Sequence, residues 1–119
     1  MKTIIAALMF FAFSAQASEP WRDIDKTLFV ASTALLVADW AQTRYIAKNP
    51  DQFYERNPIL GKHPSVGKVN AYFAGAIIGN YLLMDYLSPK NRTLYQAGLI
   101  SVQIVVVGNN KRIGVGMAF

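Results

Sequence analysis

The chain has 119 residues, enough for one domain and too few for two ordinary ones. It is 53% hydrophobic and only 16% charged, against roughly 25% charged in a typical soluble domain. Its net charge of +5 is spread as single Lys and Arg residues between apolar runs, and it holds no cysteine. This argues against phosphate tracking on nucleic acid and removes disulfide frameworks, zinc–thiolate clusters and thiol chemistry.

Taken in chain order, residues 1–17 have the form of a cleaved signal peptide: Lys2, an apolar run from Ile4 to Phe13, then Ala15-Gln16-Ala17 before Ser18. Residues 18–119 then read as a single helical membrane domain. Three apolar segments follow, at about 28–46, 69–87 and 94–107, separated by an ordered loop at 48–68 and by Ser88-Pro89. Read as transmembrane helices, the first two approach spanning length and the third needs tilt. Asp25 is a candidate cap for the first helix, Ser65 for the second, and Asn91 or Thr93 for the third. The tail beyond Val107 alternates apolar and small or polar residues and reads as a short extended end.

The expected fold is therefore an all-α membrane protein: a cleaved leader, about three transmembrane helices and an extended tail. Arg44, Lys48, Arg56, Lys62 and Lys68 gather around the first connection. By the positive-inside bias they place it in the cytoplasm, with the N-terminus periplasmic and the C-terminus cytoplasmic in a bacterial inner membrane.

None of the segments is apolar all round. Ser32, Asp39, Gln42 and Thr43 fall near one stripe of the first helix, Asn70, Tyr81 and Asp85 on one face of the second, and Gln96 and Gln103 on the third. These stripes are expected to turn toward one another, with Gln103 donating to Asp39 and Asp85 pairing with Gln96, and with Arg44 within reach of Asp39. Ala71, Gly75 and Gly79 form a small-residue run suited to close helix packing.

The candidate site is a polar cluster of Asp39, Gln42, Thr43, Glu55, Asn57 and Gln103. Asp39 is its sharpest member, because burial raises a carboxyl pKa toward values useful for proton relay. Asp51, Glu55 and His63 lack the spacing of a strong metal motif, and the His63-Pro64-Ser65 run lacks a nucleophile-elbow pattern. No metal, cofactor or catalytic residue is assigned.

Asp39-x-x-Gln42-Thr43 followed by Glu55-x-Asn57-Pro58 resembles a group of small bacterial integral-membrane proteins that pair a D-x-x-x-T helix end with an E-x-N-P loop and carry no assigned activity. The resemblance covers roughly residues 36–85. It implies membrane residence and a loop folded back so that Glu55 and Asn57 meet Asp39 and Thr43.

The leading functional expectation is a small inner-membrane protein, more non-enzymatic than enzymatic, acting through helix contacts. Its partners would be the lipid bilayer and either a second copy, as a homo-oligomer, or a larger membrane protein. The alternatives are a minimal proton-linked transporter or membrane enzyme using Asp39, and a small outer-membrane β-barrel.

Overall fold

The computed structural model describes residues 19–119. The expected leader at 1–17 lies outside the described residues. Among the described residues three helices make up most of the chain: α1 (Asp23–Lys48), α2 (Val66–Tyr86) and α3 (Pro89–Arg112), with α2 antiparallel to the other two, which run parallel. The central element is α1, which packs along both of the others, while α2 and α3 approach one another far less. The long axis of 47 Å follows α1, whose 26 residues rise about 39 Å at the helical pitch.

Local chemistry accounts for each boundary. Helix α1 begins at Arg22, whose backbone N–H donates to the carboxylate of Asp25. Asp25 therefore acts from the third helical position rather than as the cap. Ser65 caps α2 by accepting from the Lys68 N–H. Ser88 caps α3, with Pro89 at its first position, where a missing N–H costs nothing. Neither Asn91 nor Thr93 has that role. The 49–65 connection is ordered by its own hydrogen bonds: Glu55 N–H to the Lys62 carbonyl at 2.8 Å, and Leu60 and Gly61 N–H to the Asn57 carbonyl.

Apolar burial is concentrated at the two ends. At one end Met84, Leu87 and Tyr95 pack with Trp21, Phe29, Leu83 and Leu99. At the other, Leu60, Val69 and Phe73 pack with Trp40, Ala47 and Tyr72, Trp40 lying parallel to Phe73. Between the clusters the interior is polar. Ser32, Asp39, Gln42, Thr43, Asn80, Gln96 and Gln103 are all buried, whereas Val30, Ile78, Leu82, Leu94, Ile104 and Val105 are each more than half exposed.

These observations correct the membrane reading. No helix among the described residues is long and apolar enough to cross a membrane. Length is not the obstacle, since the helices have 26, 21 and 24 residues. Each helix carries buried polar groups within its length, Asp39 and Gln42 in α1, Asn80 in α2, and Gln96 and Gln103 in α3, and such groups are costly in hydrocarbon. The three transmembrane helices, the inner-membrane topology and localisation, and the bilayer or a larger membrane protein as partner therefore lose their basis. So does action through membrane helix contacts, whether by self-association or as a proton-linked transporter. The β-barrel fails because the described residues form helices and contain no strand. Ala71, Gly75 and Gly79 are exposed, and a Cβ built on either glycine meets nothing within 4 Å, so this run packs against neither α1 nor α3.

The end formed by Arg22, Asp25 and Arg92 is fastened by charge. Both Asp25 and Arg92 are fully buried. The Arg92 guanidinium meets Asp25 Oδ2 at 3.1 Å and donates to the carbonyls of Met84, Pro20 and Glu19. Arg22 grips the other side of Asp25 at 2.7 Å and reaches Pro89 and Thr93. A buried guanidinium is tolerable when its fork is filled with acceptors, and here it ties residues 19–20, the α1 start and the α2 end to α3. Removing one partner of such a pair costs about 3–5 kcal/mol, so Arg92→Ala is expected to lower the unfolding free energy in urea by about that amount. Arg92→Lys should recover little, because an ammonium cannot serve the same fork of acceptors.

Candidate functional site

Toward the C-terminal end of α1, the polar stripe meets the 49–65 loop around a cavity of about 390 Å³. Helix α1 contributes Asp39, Thr43 and Ile46, the loop contributes Phe53 to Asn57 and Leu60, and α2 contributes Phe73. Helix α3 adds Val105, Val106, Asn109 and Asn110, and the tail adds Ile113 and Val115.

Asp39 is 8% exposed. Its Oδ1 accepts from the Thr43 hydroxyl at 3.2 Å, one turn along α1, and its Oδ2 from Gln103 Nε2 at 3.1 Å across to α3. Both donors are neutral. Glu55 points one carboxylate oxygen back at its own loop, where Oε1 accepts from the N–H groups of Arg56 and Asn57. Among the described residues the ion pairs are Arg22–Asp25 and Arg92–Asp25, so neither Asp39 nor Glu55 is matched by a cation. Burial, reinforced by the negative charge of Glu55, pushes the Asp39 carboxyl up to about 6; the bonds from Gln103 and Thr43 only partly offset this. The Tyr72 hydroxyl on α2 is raised as well, by burial above all and also by Asp39 and Glu55, against a hydrogen bond with Asn57.

The other residues singled out in the sequence divide into those near this site and those away from it. Asn57 lines the cavity, and its Oδ1 accepts from the Ile59 N–H. Gln42 does not line it. Instead it cross-links α1 to α3, donating to the Val107 carbonyl at 3.1 Å and accepting from Asn110 Nδ2 at 3.0 Å. Arg44 turns away from Asp39 and donates to Asn70 Oδ1 at 2.7 Å and to the Ala118 carbonyl at 2.8 Å. The Asp85–Gln96 pairing does not form: Asp85 accepts from Trp21 Nε1, and Gln96 donates to Asn80. Among the described residues no group of three His, Cys, Asp or Glu side chains converges to hold a metal, and Ser65 is occupied as a helix cap.

The tail completes the cavity wall. Gly114, at φ 93°, turns the chain after α3 in a conformation that favours glycine, and the tail runs back across α1. Ala118 N–H donates to the Ala41 carbonyl at 3.0 Å. The Phe119 ring stands edge-on to Trp40, with the Arg44 guanidinium over its face. Gly116 is required there, since a Cβ would lie 2.9 Å from the Tyr45 ring. Val115 is thereby held 94% buried against the cavity. The alternation of the tail carries no signature of this return, because its partner is a backbone carbonyl within α1, that of Ala41.

No family model, curated protein or solved structure matches the chain. The resemblance to D-x-x-x-T, E-x-N-P membrane proteins is accordingly withdrawn, because no family model supports it and no described helix is apolar enough to span.

The raised Asp39 value fixes a pH dependence. Between an unfolded value of 3.8 and a folded value of about 6, the native state holds a proton that the unfolded chain has released. Stability should therefore rise as pH falls from about 7 to about 4, by about 3 kcal/mol in all. Asp25 acts in the opposite sense: held down to about 2, chiefly by its hydrogen bond from Arg22, its contribution is lost as pH falls below 3.8. Urea midpoints across pH should peak between about pH 4 and 5, and Asp39→Asn should flatten the neutral side. In a double-mutant cycle, Asp39→Asn and Glu55→Gln should be non-additive by about 0.5 kcal/mol or more.

Proposed function

We propose that the protein is a small-molecule binding module whose ligand occupies the cavity between α1, the 49–65 loop and the tail. The observation that carries this is the composition of the walls. A recess of about 390 Å³ has apolar sides from Ile46, Leu60, Phe73, Val106 and Val115, and converging polar groups from Asp39, Thr43, Glu55, Asn57 and Asn109. That size and mixture are typical of ligand pockets, in which apolar walls provide affinity and a few polar groups set orientation. The polar cluster of Asp39, Thr43, Glu55, Asn57 and Gln103 supplies the orienting chemistry. Gln42 supports it from outside by tying α1 to the end of α3.

The geometry favours binding over catalysis. Asp39 is held by two neutral donors, and among the described residues the one hydroxyl bonded to it is that of Thr43. Thr43 donates its proton to Asp39 over one helical turn, a bond that orients both groups along α1.

Titration of the folded protein with a panel of small aromatic and aliphatic amines, alcohols and acids, followed by amide NMR, tests this reading. At least one chemical class should shift the amides of Asp39, Asn57, Asn109 and Val115 saturably. Val106→Trp, which fills the recess from α3, should abolish those shifts. If no fragment moves these amides, or if Val106→Trp leaves the shifts unchanged, the cavity is not a binding site.

A further inference from the structure

We infer that the ligand class is an organic cation, an ammonium group carried on a small apolar body. This rests on the reading of the cavity as a ligand site and concerns what that site selects.

The first argument is charge. Asp39 and Glu55 line one recess, and among the described residues neither has an ion-pair partner. A buried carboxylate is expensive without a counter-charge. Asp25 shows how this fold treats a carboxylate that must stay charged, surrounding it with Arg22 and Arg92. At the cavity two carboxylates are left with neutral donors alone, and a bound cation would supply what Arg22 and Arg92 supply to Asp25.

The second argument is hydrogen-bond capacity. Each Asp39 oxygen accepts a single side-chain hydrogen bond, although a carboxylate oxygen has room for two. On Glu55 the bonds from the loop fall on Oε1, leaving Oε2 without a protein donor among the described residues. These open positions are all acceptors, and an ammonium brings up to three donors. A carboxylate or phosphate ligand would bring further negative charge to a recess that already holds two acids.

The third argument is the wall. Phe73, Leu60 and Val115 provide apolar contact for the body of the ligand, and Tyr54 offers an aromatic face at the rim. A cation already uses that ring: Lys62 Nζ stands 6.0 Å from the centre of Tyr54. Arg56 is the one cation among the lining residues and Lys62 stands beside Tyr54; both are exposed, and neither forms an ion pair with Asp39 or Glu55. Tyr72, on α2, is the other titratable group that feels both carboxylates, while α3 faces the recess with neutral Asn109 and Asn110. Ligand binding should therefore require an ionised Asp39 and weaken as acid protonates it.

Three probes of one shape separate the possibilities: phenethylammonium, phenethyl alcohol and hydrocinnamate, each titrated calorimetrically into the full chain at pH 7.5. The ammonium should bind at least tenfold more tightly than the alcohol, and the acid should bind least. Glu55→Gln, a change on a half-exposed loop position that should not disturb the helices, is expected to cut ammonium affinity severalfold and alcohol affinity less. Asp39→Asn should do the same more strongly. Ammonium affinity should fall about tenfold per pH unit once the pH is below about 6, and this dependence should vanish in Asp39→Asn. Equal binding of ammonium and alcohol, both blocked by Val106→Trp, would retain the cavity as a ligand site and overturn its cation selectivity. Preference for hydrocinnamate would overturn it too, assigning control of the mouth to Arg56. If no probe binds, or binding survives Val106→Trp, this inference falls together with the binding function.

Discussion

The side-chain amide of Asn80 is where all three helices are joined. Its Nδ2 donates to Ser32 Oγ on α1 at 2.9 Å, while its Oδ1 accepts from the Tyr95 hydroxyl at 2.7 Å and from Gln96 Nε2 at 3.0 Å on α3. Because α2 and α3 otherwise approach each other little, this node sets how α2 and α3 are disposed around α1. It also determines which residues face inward along their length. A buried amide left unpaired would cost about 1–3 kcal/mol, more than a formed hydrogen bond gains, so registers of α2 that orphan Asn80 are penalised.

From that node the interior runs in two directions with different chemistry. Toward one end lies the Asp25–Arg92–Arg22 cluster, where the Asp25 carboxylate is paired with two guanidinium groups and the chain ends of three elements are clamped. Toward the other lies Asp39, bonded to Gln103 and Thr43 but not neutralised. Two buried aspartates in one small protein are thus driven in opposite directions, one held down to about 2 by its guanidinium partners and one pushed up to about 6 by burial. The first is a structural clamp. The second lines a cavity whose wall is completed by the tail, itself held by Arg44, Trp40 and Tyr45.

Parts of this were legible in the chain because they depend on neighbours in sequence. Ser65 as a cap and the break at Ser88-Pro89 are consequences of local backbone chemistry, and they mark where α2 begins and where it gives way to α3. The seven-residue spacing of Gln96 and Gln103 puts both on one face of α3, and the placing of Asp39 four residues before Thr43 puts that pair on one face of α1. Other features were misread because one pattern served two purposes. Arg44 counts as loop charge in a topology argument, yet it is spent on the Ala118 carbonyl and the Asn70 amide. Ala71, Gly75 and Gly79 have the spacing of a packing seam but face outward.

The sequence by itself determined that there are three helical segments, where they break, and the polar stripes of α1 and α3, since these follow from propensity, capping and periodicity within a few residues. It did not show that α3 continues past Val107 to Arg112, or that Tyr81 and Asp85 of α2 face outward. Only the tertiary structure decided what the stripes do. Asp25 and Arg92 are 67 residues apart, and Arg44 and Ala118 are 74 apart; no local rule links them, and both pairings exist because α1 lies between its neighbours. The same placement brings Glu55 up to Asp39 and folds Val115 over both. A cavity is a property of surfaces that meet, and its charge balance depends on which cations were used elsewhere.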